Sequence, residues 1–313
     1  LAVGAGFGAQ SLLRPAGIHP DHDVLEALIA APAPTQVTTP QAAASVSPSP
    51  QPTSAPTVRR AAQKGSGDGL AEPEAGAVVD MEIRVALLKI SANPTLSASG
   101  AWTLLDRDGK VLQQGGPGQT ADLGAALASR PEAWLQTAPG SHLTADGQPY
   151  DGRFRVLRAA NGVQVVNHLS LERYISSVVG GEMPSDWNIE ALRAQAVAAR
   201  SYAMAHMARP ADAQWHLGDT TRWQNYTGLT SVNGRTREAT SSTAGVILSY
   251  QGGIVESLYA ATQQIVEEAH GSLGASMSQT GAQELAQQGL RYNEILGRYY
   301  QGASLARLQA GAG

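Results

Sequence analysis

The sequence predicts an α+β fold of largely antiparallel sheets, with helices around a Glu-Met-Pro turn and at the C-terminus, preceded by a disordered linker. Three observations carry that prediction. Residues 79–167 alternate apolar and polar side chains at strand period between turn signals, and residues 170–209 switch to helical period. Residues 31–78 hold almost no large apolar side chain to bury.

The chain opens Leu-Ala-Val-Gly-Ala-Gly-Phe-Gly-Ala, a small-residue apolar run without a basic flank. Residues 1–30 read either as the remnant of an export signal or membrane anchor or as a frayed Gly/Ala terminus; the run is too short to span a bilayer. Residues 31–78 are dominated by Pro, Ser, Thr, Ala and Gln, with Arg59, Arg60 and Lys64 near the end, and read as an extended tether of polyproline II character. The folded domain is expected over 79–309.

Within it, Met81, Ile83, Val85 and Leu87 alternate with Glu82, Arg84 and Ala86 as a half-buried strand. Trp102 to Leu105 and Lys110 to Leu112 flank Asp106-Arg-Asp-Gly109, a hairpin turn with glycine where positive φ is wanted. Asn161-Gly162 between residues 150–157 and 163–167 is the strongest hairpin signal in the chain. Leu171, Tyr174, Ile175 and Val178 then fall at helical spacing behind Ser170, with Glu172 in the first turn. Gly180-Gly-Glu-Met-Pro184 breaks that helix, and Asn188 caps the next, whose stripe of Leu192, Ala196, Ala199, Ala203 and Met207 ends at Arg209-Pro210. Strands are expected again at 245–250 and 254–259, joined by Gly252-Gly253, and helices at 281–287 and 292–300.

Composition narrows the chemistry. Net charge is -4 and the 22 Lys and Arg are scattered, so the basic footprint of a nucleic-acid binder is missing. Cysteine is absent, which removes disulfides, thiolate zinc sites and thiol nucleophiles. The seven His show no HxxxH or HExxH spacing. No metal and no cofactor is expected.

Glu182 stands out as an acid in a bent turn. Shielded by neighbours such as Met183 and Trp187, its carboxyl would keep its proton near neutral pH, the condition for a general acid. The plainer alternative is that Glu182 caps a helix end. The glycines at 180 and 181 are read as clearance for a large ligand.

The segment LERYISSVVGGEMPSDWNIEALRAQAVAARSYAM, residues 171–204, resembles the SpoIID/LytB family, the stage II sporulation protein D and amidase-enhancer group. IRVALL at 83–88, YDGRFRV and VQVVNHLSLERY within 150–174, WQNYTG at 223–228, ATSSTAGVILSYQG at 239–252 and MSQTGAQELAQQGLRYNEILGRYYQGASL at 277–305 extend the likeness over most of 80–305. The resemblance implies a lytic transglycosylase acting on peptidoglycan glycan strands, with its catalytic glutamate at Glu182. One carboxyl protonates the glycosidic oxygen and then takes the proton of the sugar's 6-hydroxyl, closing a 1,6-anhydro ring. The alternative is a non-catalytic wall-glycan-binding module or amidase enhancer. Arg200 is expected to bind sugar or peptide carboxylates or to form a structural ion pair. Gln224 and Tyr226 either contact sugar or anchor a loop, and Tyr259 is placed at the cleft edge. Partners implied are glycan strands and a cell-wall amidase, with no nucleic acid and membrane contact only through an N-terminal anchor; the location implied is exported, periplasmic or in the wall. Two departures stand out. Ala260-Ala-Thr-Gln-Gln264 replaces a Ser-Thr-x-Gly-Gly stretch, and Leu273 stands where the family pattern has His, with His270 three residues early.

Overall fold

The computed structural model describes residues 69–79, 81–270 and 275–308, so the sequence-predicted N-terminal segment, most of the linker and Leu273 lie outside the described residues. The described chain is α+β and mostly antiparallel, as its periodicity predicts. In order it runs β1 (Glu82–Ala86), β2 (Leu96–Ala98), β3 (Trp102–Leu105), β4 (Val111–Gly115), α1 (Leu123–Leu127), β5 (Glu132–Thr137), β6 (Leu143–Ala145), β7 (Gln148–Tyr150), β8 (Arg153–Ala159) and β9 (Gly162–Ser170). Then follow α2 (Leu171–Glu182), α3 (Ile189–Ala208), β10 (Leu217–Gly218), α4 (Gly234–Ser242), β11 (Val246–Tyr250), β12 (Gly253–Ile254), β13 (Leu258–Ala260), α5 (Gln263–His270), β14 (Ser276–Ser278), α6 (Gln279–Gln287), α7 (Tyr292–Tyr299) and β15 (Ser304–Arg307).

The main sheet has the order β10-β1-β9-β8-β5-β3-β4. Its neighbours are antiparallel except β1 and β10, which pair in parallel through Val85 with Leu217 and Ala86 with Gly218. The Asp106–Gly109 turn forms as expected, with Gly109 at φ +82° and Asp106 accepting the Asp108 and Lys110 N–H groups. The second hairpin differs by one residue. Ala159 pairs with Gly162, so the loop is Ala160-Asn161, and Gly162 opens β9 at φ +127°, where a Cβ would lie 2.1 Å from the Ala92 carbonyl oxygen. The expected strand over 254–259 is divided: Ile254 ends the short β12, while β13 leaves to pair in parallel with β14.

Helix α3 is the axis of the second half. The sequence suggests one apolar stripe, but every residue from Ala191 to Ala205 except Arg193 is buried. The run of alanines explains this: with no side chain beyond Cβ, α2, α4, α6, α7 and β11 all pack against the helix. Asn188 caps it as expected, accepting the Glu190 N–H at 3.0 Å. The stretch Ala260 to Gln264, read from sequence as a departure, ends β13 at Ala260 and enters α5 at Gln263. Among the described residues no helix is long and apolar enough to cross a membrane.

Candidate active site

Helix α2 carries Glu182 as its last residue. Leu171, Tyr174, Ile175, Val178 and Val179 bury one face, and Met183, which precedes Pro184, turns extended at φ −126°, ψ 145°. The residue before proline is disfavoured in the helical region, so Met-Pro ends the helix just past the acid. Gly180 and Gly181 are helical, and this corrects their reading as clearance for a ligand. A Cβ on Gly180 would lie 2.1 Å from the Ser231 carbonyl oxygen, and one on Gly181 2.2 Å from that of Asn225. What approaches the two glycines is the protein's own loop.

That loop holds the acid. The Asn225 N–H donates to Glu182 Oε1 at 2.8 Å, and the Asn225 amide donates to the Gly181 carbonyl at 2.7 Å. The side chains of Gln279, at the start of α6, and Tyr259, on β13, also hydrogen-bond the Glu182 carboxyl. Glu182 is only 8% exposed, and burial pushes its pKa up to about 7 against the opposing pull of these donors and of the Lys89 charge. Its place at a helix C-terminus also disfavours a negative charge, which argues against a simple capping role.

Of the other sequence-predicted residues, Tyr259 touches this acid and Gln224 lies behind it, both from within the protein. Gln224 is fully buried; its amide donates to Tyr259 Oη at 2.9 Å and to the Ala199 carbonyl at 3.1 Å, and its Oε1 accepts from Tyr174 Oη at 2.9 Å. Tyr226 is buried against Tyr174, ring centroids 5.2 Å apart, and donates to Asn167 Oδ1 at 2.7 Å. Gln224 and Tyr259 thus form a hydrogen-bonded chain that reaches the Glu182 carboxyl, while Tyr226 packs on Tyr174 at the other end of that chain. Arg200 stands apart from it. Its guanidinium, wholly buried, grips Glu172 in a fork (Nε to Oε1 2.8 Å, Nη2 to Oε2 2.7 Å) and donates to the Val246 carbonyl at 3.0 Å. Glu172 lies at the other end of α2 from Glu182, about 15 Å away along the helix axis. Arg200 therefore fastens the start of the helix.

Three residues at the site were not singled out from sequence: Lys89, Asn225 and Gln279. The last two lie inside the WQNYTG and MSQTG segments, and Lys89 directly follows IRVALL, so their signal was position beside a motif. Lys89 is exposed and donates to Asn225 Oδ1 at 2.8 Å and to the Tyr226 carbonyl at 3.4 Å. Burial pushes the pKa of Asp219 up, and its Oδ1 accepts the Leu88 N–H at 2.9 Å. Two surface concavities of about 460 and 380 Å³ lie elsewhere, one beside α1 and β9, the other over Trp134, Arg153 and Arg155 on the open face of the main sheet; neither includes Glu182.

Residues 159–250 match the family model SpoIID, described as stage II sporulation protein. That stretch contains Glu182, Arg200, Gln224, Asn225 and Tyr226, while Lys89, Tyr259 and Gln279 lie beyond it. An uncharacterized protein of Brachyspira hyodysenteriae is 35% identical over 119 residues, 38% of this chain and 32% of its own length. The amidase enhancer of Bacillus subtilis is 30% identical over 183 residues, 58% of this chain and 24% of its own. Stage II sporulation protein D of the same organism is 30% identical over 156 residues, 45% of each chain. The chain thus spans less than half the length of each of these relatives.

Proposed function

Because the chain carries a SpoIID family domain, distantly homologous to an amidase enhancer and to a stage II sporulation protein D, we propose that it is a peptidoglycan lytic transglycosylase with Glu182 as its single acid and base. The observation that carries this reading is the buried Glu182 carboxyl, held by the Asn225 N–H and pushed up to about 7. Such a group is protonated in a good fraction of molecules near neutral pH and can donate to a glycosidic oxygen. Once ionised it can take the proton of the sugar's 6-hydroxyl as that oxygen closes the 1,6-anhydro ring. A water-activating second carboxylate is unnecessary in this chemistry. Asp219, 1% exposed and bonded to the Leu88 N–H, is badly placed for such a task.

In this reading Arg200, Gln224, Tyr226 and Tyr259 position the acid and do not touch sugar. The Tyr174–Gln224–Tyr259 chain holds the floor under Glu182, and the Arg200–Glu172 fork holds the far end of its helix. Glycan would approach from the side of Lys89 and Asn225. The chain is expected to work outside the cytoplasm, at the wall. Incubation of the purified protein with glycan strands should release 1,6-anhydro ends, and Glu182→Gln should lower the rate by about a hundredfold to ten-thousandfold. Equal rates would remove Glu182 from the chemistry.

A second reading, a glycan-binding amidase enhancer, is favoured by the burial of the four sequence-predicted contact residues, Arg200, Gln224, Tyr226 and Tyr259. It predicts glycan binding without products, and faster cleavage by a separate wall amidase when the two are mixed.

A further inference from the structure

The open face of the main sheet is not evenly polar. Strand alternation sends Ala133, Leu135, Phe154 and Val156 into the core and Trp134, Arg153 and Arg155 to the other side. Trp134 is only half-buried and lines the cavity of about 380 Å³ on that side. The guanidiniums of Arg153 and Arg155 lie 4.7 and 5.6 Å from its ring centroid. Stacking uses the flat face of a guanidinium and leaves its in-plane N–H groups for hydrogen bonds. A third arginine, Arg107, enters the lining from the Asp106–Gly109 turn; it is exposed and has no hydrogen-bond partner among the described residues.

Three arginines thus face two carboxylates in one cavity, on a chain whose net charge is -4. The carboxylates are largely spent. Glu132 accepts from Arg155 Nε at 3.0 Å, from Arg155 Nη2 and from the Trp134 indole at 3.4 Å, and Asp106 Oδ1 accepts the Asp108 and Lys110 N–H groups. The guanidiniums are not: Arg153 bonds Glu82 through Nη2 alone, and Arg155 leaves Nη1 unused. What the cavity lacks is acceptor oxygen carrying negative charge. A phosphate offers several such oxygens at tetrahedral angles and can bridge guanidiniums that come from a strand and a turn, whereas a carboxylate fills a single fork. Trp134 adds apolar surface for the C–H face of a sugar ring joined to that phosphate. We propose that this cavity binds a sugar phosphate, either the free compound or one repeat of a phosphodiester polymer. None of its lining residues holds the Glu182 carboxyl, so the site is independent of the cleavage reading.

Calorimetry on the whole chain tests this with glucose 1-phosphate, glucuronic acid, glucose and inorganic phosphate, and then with a glycerol phosphate polymer bearing glucose. Glucose 1-phosphate should saturate one site and bind at least about threefold more tightly than each of the other three small ligands, and Arg107→Ala should weaken it by about threefold, in line with an exposed charge pair. Trp134→Ala should erase its advantage over inorganic phosphate; should that variant fail to fold, Arg107→Ala decides, because its side chain is exposed on a turn. Tighter binding of the polymer per repeat assigns the site to a wall polymer, and equal or weaker binding assigns it to the free sugar phosphate. Glucuronic acid bound as tightly as glucose 1-phosphate, an affinity indifferent to Arg107→Ala, or no saturable binding at all overturns the proposal. Glu182→Gln should bind glucose 1-phosphate as the parent does, and Arg107→Ala should leave the release of anhydro ends unchanged, so the two readings fail separately.

Discussion

At the scale of single residues, Glu182 links function to stability with opposite signs. Its carboxyl is pushed up to about 7 in the folded protein, above its ordinary range near 4.5. Between those values the folded state binds more protons than the unfolded one, so stability falls as pH rises through that window and levels off above it. The loss amounts to a few kcal/mol at most, about 1.4 kcal/mol for each pKa unit. Glu182→Gln should therefore flatten this slope and leave the variant more stable than the parent at pH 8, measured by urea unfolding at pH 5 and pH 8. Cleavage should decline above about pH 7, as the acid loses its proton. Gly181→Ala offers a separate check. A methyl 2.2 Å from the Asn225 carbonyl oxygen displaces the loop whose N–H holds the acid, so stability should drop by about 1–3 kcal/mol and cleavage with it. The acid was legible in the sequence as one of two readings, a carboxyl shielded by neighbours such as Met183 and Trp187 or a helix cap. The purpose of the glycines was not, since a sequence does not say whether a ligand or the chain's own backbone comes close to them.

At the scale of elements, the start of α2 depends on a partner 28 residues away. Arg200 is wholly buried and Glu172 partly so, and breaking such a pair leaves a charge without its counter-ion. Glu172→Gln should cost about 3–5 kcal/mol, read as a lower urea midpoint, because it leaves the wholly buried Arg200 guanidinium without its counter-ion, while Arg200→Met should cost less in stranded charge because the Glu172 carboxylate keeps some contact with water. Local patterning fixed those elements whose signals are local: the Asn188 cap and the Asp106–Gly109 turn. It did not show β5, although Glu132 to Thr137 is a middle strand of the main sheet. Six residues with no flanking hairpin turn give a weak signal, and β5 is set by pairing with β3 and β8. For the same reason β15, which pairs with β11 across most of the C-terminal half, could not be read from its four residues. Arg200 belongs with these cases: its side chain could be named from sequence, but its partner on another helix could not.

At the scale of the molecule, the first described residues belong with the last. Leu70 exchanges hydrogen bonds with Asn293, donating to its carbonyl at 3.1 Å and accepting from its side-chain amide at 2.9 Å. Arg291 pairs with Glu72 at 2.7 Å, and Arg307 donates to the Glu74 carbonyl at 2.9 Å. The linker expected through residue 78 thus gives way to structure by residue 69. A chain beginning at Gly69 should be more stable than one beginning at Val79 by about 1–3 kcal/mol, compared by thermal melting. These contacts also decide where a pull is felt. Force applied through the N-terminal side of the domain reaches α7 and β15 first, and the four bonds from Leu70 to Glu74 would peel in turn as separate weak links. A tug from that direction is spent first at these bonds, none of which involves a residue that holds the Glu182 carboxyl.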